Sequence, residues 1–159
     1  MLSSKTKALI GIVIAGWLVV LLGLIAWSVS RPIPIVQGSV ATTLSKMDSI
    51  NMRTAGVMPL DVYGENIVGV IPVCQGVTPQ DLEQGLDVNP AQFSFDNGVI
   101  PEAVNYMLLM DKNGETHVEK VMRADIDLCP NPQQIRAYQA GEMMFFVKEP
   151  NTKNWILVG

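Results

Sequence analysis

The sequence reads as an α+β protein: a single N-terminal transmembrane helix followed by a compact extracytoplasmic domain of short antiparallel strands and two or three short helices. Three observations predict this. Residues 8–29 carry no charged side chain, and at ~1.5 Å of rise per residue such a helix is roughly 30 Å long, the thickness of a bilayer's hydrocarbon core. Beyond it, short strand-like segments are separated by turn signals such as Asp96-Asn97-Gly98 and Asp111-Lys112-Asn113-Gly114. The only two cysteines, Cys74 and Cys129, fall in the part expected outside the cytoplasm, where thiols oxidise.

The element order starts with a cytoplasmic stub, residues 1–7, because Lys5 and Lys7 precede the apolar run and positive flanks stay inside. Arg31 is the single counter-signal, and Trp27 suits an interfacial anchor at the far end. Ser28-Val29-Ser30 offers a cleavage site for the alternative of a signal peptide, but the run exceeds the usual ~7 to 15 residue apolar region. On a helical wheel Ala8, Gly11, Ala15, Gly16, Gly23 and Ala26 share an arc of about 140°. Small residues allow the close backbone approach on which helix association in lipid depends, so this face is expected to pack on another helix, with Gly11-x-x-x-Ala15 at its centre. The expected partners are therefore the bilayer and integral membrane protein subunits. Arg31-Pro32-Ile33-Pro34 makes residues 30–37 a stiff linker.

Residues 38–51 place Val40, Leu44, Met47 and Ile50 at helical spacing and predict a short amphipathic helix. Residues 52–159 form the α+β domain. Ile67 to Cys74 is rich in β-branched residues, with Pro72 pushing it toward an edge position. Thr78-Pro79 supplies an N-cap and a first-turn proline for a helix to about Gln84, stopped by Gly85. Phe93 to Phe95 reads as a short strand. Tyr106 to Met110 and Glu115 to Met122 flank the strongest hairpin turn. Met122, Ala124, Ile126 and Leu128 alternate with Arg123, Asp125 and Asp127 as in a half-buried strand. Asn131-Pro132 starts a second short helix running to about Gln139, and Met143 to Lys148 with Trp155 to Val158 makes a last hairpin.

Cys74 and Cys129 are expected to pair, since there is no Cys-x-x-Cys for thiol exchange, no Cys-x-x-Cys-His for haem attachment and no lipobox. Catalytic residues are not expected. His117 is the sole histidine, no Gly-x-Ser-x-Gly elbow supplies a nucleophile, and His117-Glu119 reads as polarity on one strand face. Asp125 and Asp127 share a face and read as solvated. Asp111-x-Asn113-x-Glu115 resembles the opening of a calcium loop but lacks its sixth-position glycine and twelfth-position glutamate, and reads as a hairpin turn. Met107, Met110, Met122, Met143 and Met144 form no tight repeat and suit adaptable packing. No cofactor or metal is expected. All fifteen acidic residues follow the apolar run, which disfavours nucleic acid and acidic headgroups as partners.

The function these features imply is that of a non-catalytic, single-pass accessory subunit, packed by its helix on a larger membrane complex and bracing its outer face with a disulfide-stapled domain. The alternative is a membrane-anchored envelope module that binds or senses a soluble or cell-wall ligand. The basic start at Lys5 and Lys7, one span, the proline-led exit from Arg31 to Pro34 and an acidic disulfide domain resemble the small single-pass subunits of actinobacterial respiratory cytochrome bcc-aa3 supercomplexes. That resemblance implies a stabilising or assembly role in the cell membrane, beside subunits that carry the electrons, and no haem, copper or quinone ligand here.

Overall fold

The computed structural model describes residues 13–14, 16–23, 38–131 and 136–158. The chain divides into two compact units, Met1–Pro34 and Ile35–Gly159. In the first, residues 13–14 and 16–23 are helical. Among the described residues no helix is long and apolar enough to cross a membrane, which corrects the transmembrane helix expected over 8–29. A span needs about 20 continuous apolar helical residues, and the described part of this run offers residues 13–14 and 16–23. Of the small-residue face, Gly16 and Gly23 lie in that stretch, while Ala8, Gly11, Ala15 and Ala26 lie outside the described residues, as do the stub 1–7 and most of the linker 30–37.

The second unit opens with α1, Val40–Ser49, which buries Val40 and Leu44. Ser39 caps it, its hydroxyl accepting from the Thr42 N–H at 3.1 Å, and Lys46 in the last turn complements the helix dipole. After β1 (Thr54–Val57) comes the single-turn α2 (Pro59–Tyr63), with proline at its first position. Gly38 lies so close to α2 that a Cβ there would stand 2.2 Å from the Val62 carbonyl oxygen, so only glycine fits. Next follow β2 (Ile67–Val73), α3 (Pro79–Leu86), a 3-10 turn at Pro90–Gln92, β3 (Val104–Asp111), β4 (Thr116–Met122), β5 (Ile126–Asp127), β6 (Tyr138–Gln139), β7 (Met144–Lys148) and β8 (Trp155–Val158).

These strands form two four-stranded sheets, ordered β1-β7-β8-β5 and β4-β3-β2-β6. The inner faces share the main core: Ala55, Val57, Met144, Phe146, Trp155 and Leu157 from the first sheet meet Ile67, Val70, Met107 and Leu109 from the second, with Val40 and Leu44 of α1. A second core lies on the other face of β2 and β3, where Val73, Val104, Tyr106 and Leu108 pack on Leu82 of α3 and on Val88, Phe93 and Ile100. The second sheet is therefore buried on both sides, and β3 reads as a nearly unbroken apolar run for the reason that parallel-sheet strands do. Asn105, fully buried, donates from Nδ2 to the Ile126 carbonyl at 2.9 Å and so ties β3 to β5 of the other sheet.

Glu119, on the inner face of β4, holds α1 in place. Its carboxylate accepts from Ser39 Oγ at 2.8 Å, from the N–H groups of Val40 and Ala41 at 3.2 Å each, and from the Tyr63 hydroxyl at 2.6 Å. An anion at a helix N-terminus meets orphan donors and the positive end of the dipole together. Burial, with the Glu119 charge beside it, pushes the Tyr63 hydroxyl far above its ordinary range, so it acts as a donor throughout the accessible pH range. His117 and Glu119 are thus not solvated polarity: the register sets them opposite Leu109 and Met107, on the core side.

The structure revises several other expectations. β2 is not an edge strand, because β3 pairs along most of it and β6 covers Gly69 and Val70 on the other side; Pro72 is tolerated because it lies past the end of β6. α3 runs through Gly85 to Leu86 and ends at Asp87, which takes the left-handed conformation at φ 53°; its start is the capping box of Thr78 with Asp81. Phe93 to Phe95 is not a strand. The ladder there is a lone bridge, Asp96 to Val99, closed by Asn97-Gly98 at φ 51° and 80°. The strand expected through residues 122–128 is broken by a turn at 123–125, and β5 pairs parallel with β8, where antiparallel pairing was expected throughout. The helix expected from Asn131 to Gln139 ends instead in strand β6, residues 132–135 being outside the described residues.

Cys74 and Cys129 are joined, with Cα atoms 5.8 Å apart and both residues buried. The bond ties the end of β2 to the segment after β5 and so links the two sheets covalently. A 55-residue separation gives a stabilisation of about 4 kcal/mol by the chain-entropy relation. Replacing both cysteines by alanine is expected to lower the unfolding free energy by about that amount in urea titrations, with a matching loss when the wild type is reduced. Glu119→Ala, which strands a buried hydroxyl and two helix N–H groups, is expected to cost about 3 kcal/mol. In the same titration Glu119→Gln should recover part of that loss.

Candidate functional site

An antiparallel sheet with one covered face ordinarily carries polar side chains on the other. The first sheet does not. Along β7 the side chains alternate, Met144 and Phe146 inward and Phe145 and Val147 outward. Register sets Phe145 between Gly56 of β1 and Val158 of β8, and Val147 between Thr54 and Ile156. The result is an outward strip in which Phe145 is 53% exposed and Val147 and Val158 are 40% exposed each, with Ile156 half-buried among them. Gly56 opens the strip at one side: a Cβ there would come within 2.7 Å of Met143 Sδ, so the thioether lies across the bare backbone. Contiguous exposed apolar side chains of this kind mark interaction surfaces, and methionine adapts readily to a partner's contours.

A second feature is a pocket of about 470 Å³ between α1, β5 and the turn after β7, lined by Leu44, Asp48, Asp125, Lys153 and Trp155 among others. Close to it Lys148 is paired with Asp48 of α1 and lies 5.8 Å from the centre of the Trp155 ring. Asp48 on that rim is therefore engaged with the protein itself.

Of the residues that the sequence singles out, Cys74 and Cys129 are brought together. Asp125 and Asp127 are not a solvated pair: Asp125 is exposed in the turn, whereas Asp127 is buried. Asp127 receives the Arg123 guanidinium at 3.0 Å and accepts the Cys129 N–H at 2.9 Å, a brace behind the disulfide. Met107 and Met144 belong to the main core, Met122 and Met143 are exposed, and Met110 is half-buried. Asp111, Glu115 and His117 converge at the β3–β4 hairpin, their ligand atoms within 4.8 Å of one another. Burial alone would raise the Asp111 carboxyl, but N–H bonds from Glu115 and Asn113, with His117 alongside, outweigh it and hold the group below the usual carboxylate range.

The outward strip went unmarked in the sequence. Its signal is the run Met143-Met144-Phe145-Phe146-Val147, apolar at both strand parities where a half-buried strand would alternate. No family model, curated protein or solved structure matches the chain. None of these comparisons identifies a respiratory-supercomplex subunit.

Proposed function

We propose that residues 38–158 act as a non-catalytic accessory module that braces a larger protein complex by laying the outer face of the first sheet on a partner subunit. The exposed apolar strip of Phe145, Val147, Ile156 and Val158 carries this reading. Covering a phenylalanine of this kind contributes roughly 1.5–3 kcal/mol, and an aromatic anchor flanked by smaller apolar residues is a common centre for a protein interface. The Cys74–Cys129 bond supports an oxidising, extracytoplasmic setting, where such bonds persist. A second reading, capture of a soluble ligand, is favoured by the pocket beside α1, whose mixed lining includes the buried Trp155.

Tagged full-length chain, purified from its native host under mild conditions, is expected to bring stoichiometric subunits with it. The double variant Phe145→Asp with Val147→Lys should lose them while keeping its circular dichroism and melting temperature, since both side chains point away from the core. Retention of the subunits by the variant, or recovery of the wild type alone, overturns the docking reading. In the second case Trp155 fluorescence with candidate ligands becomes the test of the pocket.

A further inference from the structure

We propose that Asp111, Glu115 and His117 form a binding site for a divalent transition-metal ion, with zinc the best match to their donor set. The proposal is independent of the docking reading, because the residues belong to the second sheet. β3 and β4 pair with Leu109 opposite His117, so His117 stands diagonal to Asp111 on the core-facing side. The hairpin closes over Lys112, Asn113 and Gly114, with Gly114 at φ 81° and the Asp111 N–H bonded to the Glu115 carbonyl at 3.0 Å. That closure returns Glu115 to the side of Asp111.

The two oxygens of Asp111 have different roles. Oδ1 accepts the N–H groups of Asn113 and Glu115, each at 2.8 Å, and these bonds fix the carboxylate's orientation. Oδ2 is buried, has no hydrogen-bond partner among the described residues, and faces His117 Nε2 at 3.6 Å. Nε2 is also buried and without a hydrogen-bond partner among the described residues, and 3.6 Å exceeds the reach of a direct hydrogen bond. The Asp111 side chain is 1% exposed, so water does not freely compensate it, and leaving two such atoms unsatisfied is costly. One cation between them satisfies both. Tetrahedral zinc with bonds of ~2.0–2.1 Å sets its ligands about 3.3–3.4 Å apart, close to the spacing found here. The carboxylate of Glu115, within the same 4.8 Å, supplies a third ligand and leaves a fourth position for water or a partner's side chain.

The donors select against the commoner divalent ions. Calcium takes six to eight oxygens and magnesium near-ideal octahedral oxygens, whereas one imidazole nitrogen with two carboxylates suits zinc and its neighbours. Oδ1 held by two N–H groups is the outer support that metal-binding carboxylates ordinarily carry.

The test is equilibrium dialysis of the full chain, stripped with chelator, against micromolar zinc, with bound metal measured by atomic emission and the cobalt(II) form examined by visible absorption. The expected result is about one ion per chain and cobalt d–d bands of tetrahedral intensity. His117→Ala is expected to weaken binding by on the order of 100-fold; this half-exposed side chain lies at the rim of the core, and circular dichroism checks the fold. Asp111→Asn, which retains an oxygen for the turn, is expected to do the same. Absence of zinc from the wild type, or uptake unchanged in both folded variants, overturns the proposal.

Discussion

The carboxylate of Glu119 is the contact on which the arrangement of the domain rests. It gathers the N-terminus of α1, the hydroxyl of Tyr63 in α2 and the inner face of β4 at one point. Without it α1 keeps the packing of Val40 and Leu44, with Ala41 and Met47 beside them, and the Asp48–Lys148 pair, and a ten-residue helix has little stability of its own in water. Because α1 forms one wall of the pocket, the same carboxylate helps to position that wall. Electrostatics at a helix end thus set the shape of a region whose energy comes mostly from apolar burial.

Two fasteners join the sheets, and they differ in kind. The Cys74–Cys129 bond acts chiefly on the unfolded chain by restricting it, whereas Asn105 to the Ile126 carbonyl acts only once both sheets are in place. Asp127 connects the two: it fixes the Cys129 backbone while it holds Arg123. This dense polar bracing at the β5 end contrasts with the first sheet's outer face, which has bare apolar side chains and no such network. A rigid frame behind an unpaired apolar face costs little ordering entropy when a partner covers it.

Much of the local structure was legible because its signals are short-range. Thr78-Pro79 with Asp81 writes a capping box in four residues, Asn113-Gly114 writes a turn, and the apolar spacing from Val40 to Leu44 writes a helix face. The failures were of longer range. Pro72 argued for an edge strand, and only the two-residue length of β6 removed the conflict. His117 and Glu119 looked solvated because their partners, Asp111 and Ser39, come from the hairpin's far side and from a helix 80 residues away. The apolar run over 8–29 has the composition and length of a membrane span, whereas among the described residues no helix is long and apolar enough to cross a membrane.

The first sheet has a consequence in time. β1 pairs with β7, so Val57 waits for Met144, nearly ninety residues later in synthesis. At 5–20 residues per second the ribosome takes roughly 4–17 s to supply that partner. During the interval β1 presents an open edge, and its brevity and its glycine are the features that make such an edge a poor template for aggregation. The apolar strip, built from β1, β7 and β8, is assembled only once translation has passed Val158. A chain whose synthesis has not passed β8 therefore presents β1 and β7 without the third strand of that face.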